Sequence, residues 1–311
     1  MKRTILIVLL SFAQTACLQV RAPKDSNGTD FNQAHKLLEE KKFDQALAKL
    51  DGLITEDPSP RLYVERARLF YNLAQYQKGI DDCNKAISLD PNDEAAYACR
   101  GVLYGALGQN QPGIEDITKA VQLNPQYAEA YISLAAVHGS LNEHQKTIED
   151  CSRAIELDPK SLRALMYRAY AFGQLKQYKN ALEDSKKAVL LAPKDDTARG
   201  LLAVTYGCLG DYQKDIDETN KILELDSTSV RAYVNRGYAY AHLEQYQKAL
   251  DDYNTAISVD PNYADGYFGR AIVYGKLGKK DLAAENKFKA IELRRQRAQR
   301  GIWRPGSKSL P

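Results

Sequence analysis

The chain has 311 residues; 44% are hydrophobic, enough for a large core, and 27% are charged. Its net charge of +3 is too small to argue for a nucleic-acid partner. One tryptophan and nineteen glycines fit no fibrous or disordered class.

Residues 1–17 differ in kind from the rest. Lys2 and Arg3 precede a wholly apolar run at 5–10, which Ser11, Phe12 and Ala13 extend before Gln14-Thr15-Ala16-Cys17. A basic start and a short apolar run are the plan of a secretory signal peptide, and the run is too short for a stable membrane span. The plainer alternative is an ordinary apolar N-terminal helix. Ala16-Cys17 at the end of such a segment resembles the lipobox of bacterial lipoproteins, whose cysteine is lipidated after cleavage. The resemblance implies lipid attachment at Cys17 and a membrane tether through it. Gln14 stands where that family has an aliphatic residue, and Ser11-Phe12-Ala13 offers ordinary signal peptidase another cut. Residues 18–26 then form a polar linker. Asn27-Gly28-Thr29 is a formal glycosylation sequon, which matters only in a eukaryotic secretory pathway.

From residue 27 the chain repeats itself. Pro91, Pro125, Pro159, Pro193 and Pro261 lie on a ladder of 34-residue steps, broken at Ser227. Counting back gives units at 60–93, 94–127, 128–161, 162–195, 196–229, 230–263 and 264–297, with a weaker copy at about 27–59 that carries Ala34, Phe43, Ala46 and Pro58. Each unit holds two amphipathic, helix-length runs, and proline stops the second. The eighth position is small (Ala67, Gly101, Ala135, Ala169, Ala203, Gly237, Ala271), as a close helix crossing requires. The eleventh is Phe70, Tyr104, His138, Phe172, Tyr206, Tyr240 or Tyr274, and the twenty-seventh is alanine except at Ile222. The segment 27–297 resembles the tetratricopeptide repeat (TPR) proteins, whose unit is a 34-residue helix–turn–helix. The resemblance implies an all-α, right-handed TPR solenoid of about eight helix–turn–helix repeats.

Charge repeats too. Acidic pairs recur on the second helices from Asp81-Asp82 to Asp251-Asp252, which makes them structural grammar rather than acid–base catalysts. Arg66, Arg100, Arg168, Arg236 and Arg270 recur on the first helices, and four of them have Asp sixteen residues on. This predicts a ladder of Arg–Asp contacts, the alternative being unpaired, solvated faces. Cys83, Cys99, Cys151 and Cys208 have no metal-ligand spacing and read as small core residues; Cys83 and Cys99 fall on helices expected to be neighbours, so a disulfide there is an alternative. His138 fills an aromatic slot, His144 stands where other units have tyrosine, and no histidine has a partner at metal spacing. No phosphate loop or nucleophile elbow appears. Neither a cofactor nor a metal is expected.

Unit 196–229 departs most from the pattern. Asp215 replaces Ala181, Ala249 and Ala283, Ile222 replaces alanine, and Arg199 stands where Tyr233 and Tyr267 do. Unpaired burial of Asp215 would be costly, so it is expected to pair, with Arg199 as the candidate, or to reach solvent. These departures read as drift or as function. The basic residues 298–311 form a tail, and polar residues of the last helix, running to about Ala298, are expected to cap the core.

Function follows as a class. The family resemblance implies a concave groove that binds protein or peptide, built here from Arg68, Tyr71, Tyr167, Tyr170, Arg231, Asn235, Tyr238, His242 and Phe268. Tyr170 and Tyr238 are expected to face it as anchors. Glycines at the twelfth position (Gly105, Gly139, Gly173, Gly207, Gly275) are expected to bare its floor. Val64, Ala98, Ile132, Met166, Gly200, Val234 and Phe268 stand at the fifth position, where one TPR subclass has lysines that grip acidic chaperone tails, so that partner is disfavoured. The expected protein is an exported, non-catalytic scaffold, periplasmic or membrane-anchored. A cytosolic adaptor and an envelope enzyme or hydrolase accessory subunit are the alternatives; a deep pocket with converging titratable groups would favour the enzyme.

Overall fold

A computed structural model of the protein describes residues 32–34, 36, 37, 40 and 42–299. The signal segment, Cys17, the linker, the sequon, His35 and residues 300–311 lie outside the described residues. All regular structure among the described residues is helical, and sequence-adjacent helices pack as antiparallel pairs: the fold is an all-α TPR solenoid. The helices with defined ends are α1 (Phe43–Glu56), α2 (Pro60–Asn72), α3 (Tyr76–Leu89), α4 (Glu94–Ala106), α5 (Asn110–Leu123), α6 (Ala128–Ser140), α7 (His144–Leu157) and α8 (Leu162–Gln174). They continue with α9 (Tyr178–Leu191), α10 (Asp196–Cys208), α11 (Tyr212–Leu225), α12 (Val230–His242), α13 (Tyr246–Val259), α14 (Ala264–Lys276) and α15 (Lys280–Gln299). They form two compact units, residues 32–167 and 168–299, with the boundary inside α8.

Two kinds of turn produce the repeat. Within a repeat the first helix ends in a left-handed residue: Ala74, Gly108, Asn142, Lys176, Gly210, Glu244 and Gly278 all have φ between 55° and 82°. The two closing hydrogen bonds recur with it. Ala74 N–H donates to Tyr71 O, and Gln75 N–H reaches back to Phe70 O at 2.8 Å, which satisfies carbonyls the helix end would leave bare. An L-residue is strained there by about 1–2 kcal/mol. Glu244→Gly is therefore expected to stabilise its unit by about 1 kcal/mol, and Asn142→Gly by less, because asparagine tolerates the conformation. Urea denaturation checks this, and a loss on Glu244→Gly would contradict it.

At five junctions between repeats the turn is an Asx turn; Ala192 stands at the equivalent position before Pro193. Asp90, Asn124, Asp158, Asp226 and Asp260 each accept, through Oδ1, the N–H two residues on, at 2.9–3.1 Å. The Asp226 turn is closed the same way without proline, so Ser227 does not break the geometry.

The pair crosses where the eighth position of the first helix meets the fourth residue of the 14-residue second helix, at repeat position twenty. A Cβ added to Gly101 would stand 2.6 Å from Gly113 O, and one added to Gly113 would stand 2.7 Å from Gly101 O. In this pair backbone therefore lies against backbone, and only glycine fits.

The Arg–Asp ladder forms. Arg66 grips Asp82 through two bonds of 2.8 and 2.7 Å, and Arg100–Asp116, Arg168–Asp184 and Arg236–Asp252 repeat the fork. A third nitrogen reaches the second helix of the preceding repeat, at Asp51 from Arg66, Asn84 from Arg100 and Asn220 from Arg236. Each of these guanidiniums thus joins three helices. Arg270, which lacks the aspartate, uses Asn286 and Asn254 instead. Where the arginine is missing the acid finds another base: Asp150 meets His138 Nδ1 at 2.6 Å, and Glu218 meets Arg199 at 2.7 Å. His138 therefore does more than fill its slot.

The reading of the cysteines as core residues holds, and the expectation of a polar cap changes. Cys83 and Cys99 are adjacent but remain free, buried thiols; no disulfide joins them. The last helix runs to Gln299, but its outer face is not purely polar, since Phe288 is 71% and Ile291 53% exposed.

Candidate functional site

The most unusual local chemistry lies in the 168–299 unit and begins at the helix crossing. Position twenty carries Gly79, Gly113, Thr147, Ala181, Asp215, Ala249 and Ala283 along the chain. A side chain larger than alanine finds room there only over the glycine at position twelve. Thr147 Oγ1 lies 3.7 Å from the point where a Cβ on Gly139 would be, and Asp215 Oδ2 lies 2.7 Å from the corresponding point on Gly207. These two glycines do not bare the groove floor, as expected from sequence, because the chain's own side chains take the space. Gly173 and Gly275 do leave it open.

Asp215 neither pairs with Arg199 nor reaches solvent. It is 3% exposed, and its hydrogen bond is to Thr219 Oγ1, at 3.3 Å from Oδ1. Arg199 is held elsewhere, donating to Pro193 O at 2.7 Å and to Glu218. It thereby replaces a tyrosine faithfully, since Tyr233 and Tyr267 hydroxyls donate to the same turn carbonyl in their own repeats. Ile222, the other departure, is buried within 4.0 Å of the point where a Cβ on Gly200 would be, so the missing side chain makes its room. Asp215 is the departure left without compensation. Burial pushes its carboxyl up to about 7, against a smaller lowering by the Thr219 bond.

Asp215 lies on a pocket of about 260 Å³. Tyr178, Tyr212 and Tyr238 give it aromatic surface, Val204 and Leu209 apolar surface, and Cys208, Asn235 and Asp215 polar groups. His242 stacks on Tyr212 with ring centroids 4.5 Å apart and tilts against Tyr238 at 4.4 Å, which extends the aromatic wall. Burial raises Cys208 to about 11 and Tyr238 to about 12, so both stay neutral near pH 7.

The structure thus brings Asn235, Tyr238 and His242 together, one turn apart on α12, with Arg231 on the same helix and ion-paired to Asp196 at 3.1 Å. Tyr170 behaves differently from Tyr238. It is 2% exposed and packs with Tyr178, Val204 and Cys208 around a much smaller space, so it does not present an open face to a partner. Tyr167 is also buried. Arg68 is buried and bound to Glu65 at 2.7 Å, and Tyr71 packs against Tyr76. Phe268 is covered by the Arg294 guanidinium, 4.9 Å above its ring. Asp215, Tyr178 and Tyr212 were not among the residues expected at the site. The signal was an acidic residue at a position reserved for small ones, paired with glycine eight residues earlier.

Among the described residues, no three His, Cys, Asp or Glu side chains come together as a metal site, and no helix is long and apolar enough to cross a membrane.

Two family models, both described as Tetratricopeptide repeat, match residues 60–93, 95–127, 128–161, 162–195 and 230–263, together more than half of the chain. A 58 kDa phosphoprotein of Plasmodium berghei is 35% identical over 69 residues, 22% of this chain and 16% of that protein. The chain therefore matches only a small part of that relative's length. The structure is similar to that of the APC/C hetero-tetramer Cut9-Hcn1, at 18% identity and a TM-score of 0.68, covering 94% of this chain and 59% of that one. It is also similar to Pseudomonas aeruginosa pilF (14% identity, TM-score 0.60, 68% and 96% covered). A tetratricopeptide repeat protein from Parabacteroides merdae gives 16% identity and a TM-score of 0.54, with 84% and 97% covered. At these identities the structures speak for the fold alone.

Proposed function

Because the chain belongs to the tetratricopeptide repeat family, we propose that it is a non-catalytic scaffold that binds a protein or peptide, with the first-helix side chains of the 168–299 unit as a principal binding surface. The observation that carries this reading is the cluster of half-buried Tyr212 and Tyr238, exposed His242 and the buried amide of Asn235 around an open pocket. Tyrosine gives apolar area with a polar tip at little entropic cost, and amides satisfy a peptide backbone. The pocket's thiol does not read as a nucleophile. A nucleophilic cysteine needs a lowered pKa, and Cys208 is raised. No base is hydrogen-bonded to it among the described residues.

The test is to identify the partner by capture from source-cell extract and mass spectrometry, then measure its Kd with variants. Tyr238→Ala is expected to weaken binding about tenfold or more and Arg231→Ala by less, with little change in melting temperature, because exposed ion pairs add little stability. Full affinity in both folded variants would place the site elsewhere.

The basic start, the apolar run and Cys17 support export, with the lipid-anchored form ahead of the freely secreted one. Native material should then lack residues 1–16, and a palmitate analogue should label wild type but not Cys17→Ala. A native N-terminus at Met1 would leave the cytosolic adaptor instead.

A further inference from the structure

We propose that the pocket over α10, α11 and α12 seats one lysine side chain of the bound peptide, with Asp215 as its counter-ion and Tyr178, Tyr212 and Tyr238 as its walls. This deepens the peptide-binding reading and rests on it.

The carboxylate comes first. Asp215 is buried, yet among the described residues it has no ion pair; its Oδ1 takes a long bond from Thr219, and Oδ2 stands over bare Gly207. Arg199 does not answer it, being committed to Glu218 and Pro193 O. Buried carboxylates are ordinarily paired, and this one faces a pocket instead.

The walls come second. Tyrosine faces attract a cation lying over them, more strongly as water is excluded, and three tyrosines line one pocket here. Val204 and Leu209 offer apolar surface to a methylene stem, and about 260 Å³ admits a long, thin side chain. Burial raises Tyr178 of α9, Cys208 of α10 and Tyr238 of α12 and so keeps these acids neutral near pH 7, and it lowers His242 of α12, which favours the neutral ring, so Asp215 carries the pocket's charge. Geometry selects among cations. Guanidinium recognition is strongest on two free carboxylate oxygens, whereas here one oxygen is engaged and one is presented, which suits the point charge of an ammonium.

Four pools of fluorescent, capped octapeptides test this, mixed at all positions except a fixed central lysine, Nε-acetyl-lysine, arginine or glutamate, titrated into the full chain by polarisation. The lysine pool is expected to bind at least tenfold tighter than the acetyl-lysine pool. That preference should vanish in Asp215→Asn, and in Asp215→Ala, which restores the residue three other repeats carry. It should also grow about tenfold from pH 6 to pH 8 in wild type, because Asp215 ionises near 7 while the ammonium persists to about 10. Equal binding of all pools would overturn the lysine pocket and leave the peptide-binding groove standing. Preference for arginine or glutamate would also overturn it, as would a lysine preference that survives in both variants. Binding of no pool would remove the groove reading and the pocket with it.

Discussion

Asp215→Ala is expected to stabilise the 168–299 unit by roughly 4 kcal/mol at pH 8 and by very little at pH 4, each pKa unit being worth about 1.4 kcal/mol. The cause is burial. The folded carboxyl ionises near 7, against an ordinary value of 3.8. Below the ordinary value the group is protonated in both states and costs nothing as a charge. Between about 4 and 7 the unfolded chain releases the proton and the folded chain keeps it, so stability falls as pH rises; above 7 the penalty is complete. Position in the first turn of α11 favours the charge by about 0.3–1 kcal/mol through the helix dipole, too little to outweigh burial. Alanine's better helix propensity adds about half a kcal/mol at every pH, so the pH-dependent part isolates the carboxyl. Hydrogen exchange of α10–α12 amides from pH 4 to pH 8 reads the effect, and equal gains at both ends would show that Asp215 is not held uncharged. A destabilising acid in a binding pocket fits the usual exchange of stability for function, and a bound cation would recover the loss by linkage.

How far the sequence went can be seen at single positions. The 34-residue step placed every helix pair, and glycine or alanine at position eight located the crossing, because both follow from local rules of period and size. The Arg–Asp rungs were legible because sixteen residues is a fixed displacement from first helix to second. Partner choice among several neighbours was not legible. Arg199 and Asp215 were the natural pair on charge, yet Arg199 keeps the tyrosine's bond to the turn and takes Glu218 on the next face. Tyr170 and Tyr238 share a repeat position, but one is enclosed and the other half-exposed, since enclosure depends on which residues the neighbouring helices supply. Spacing determines where a side chain starts, whereas the neighbours determine whether it stays open.

The sharpest test of the crossing is a single methyl group. Gly101→Ala is expected to cost about 3 kcal/mol or more in the 32–167 unit, at the upper end for overpacking. Its Cβ would meet Ile117 Cγ1 at 2.5 Å and Gly113 O at 2.6 Å. The isoleucine can rotate, but the carbonyl is part of α5, so relief requires α4 and α5 to separate. Separation would also strain the Arg100–Asp116 fork, which ties the same two helices at 2.7 and 2.8 Å. The tolerance of alanine at this position in Ala67 and Ala135 does not carry over: Ala135 faces Thr147, and Ala67 faces Gly79 across a wider gap, since a Cβ on Gly79 would stand 3.1 Å from Ala67 O, against 2.7 Å from Gly101 O for one on Gly113. Gly275→Ala is the control. Its Cβ would meet nothing within 4 Å, and replacing a helical glycine should instead gain about 0.5 kcal/mol. Denaturation of both variants separates a steric crossing from a general preference for glycine. If Gly101→Ala melts with wild type, the α4–α5 contact is looser than its backbone geometry and the small-residue rule at position eight has another cause.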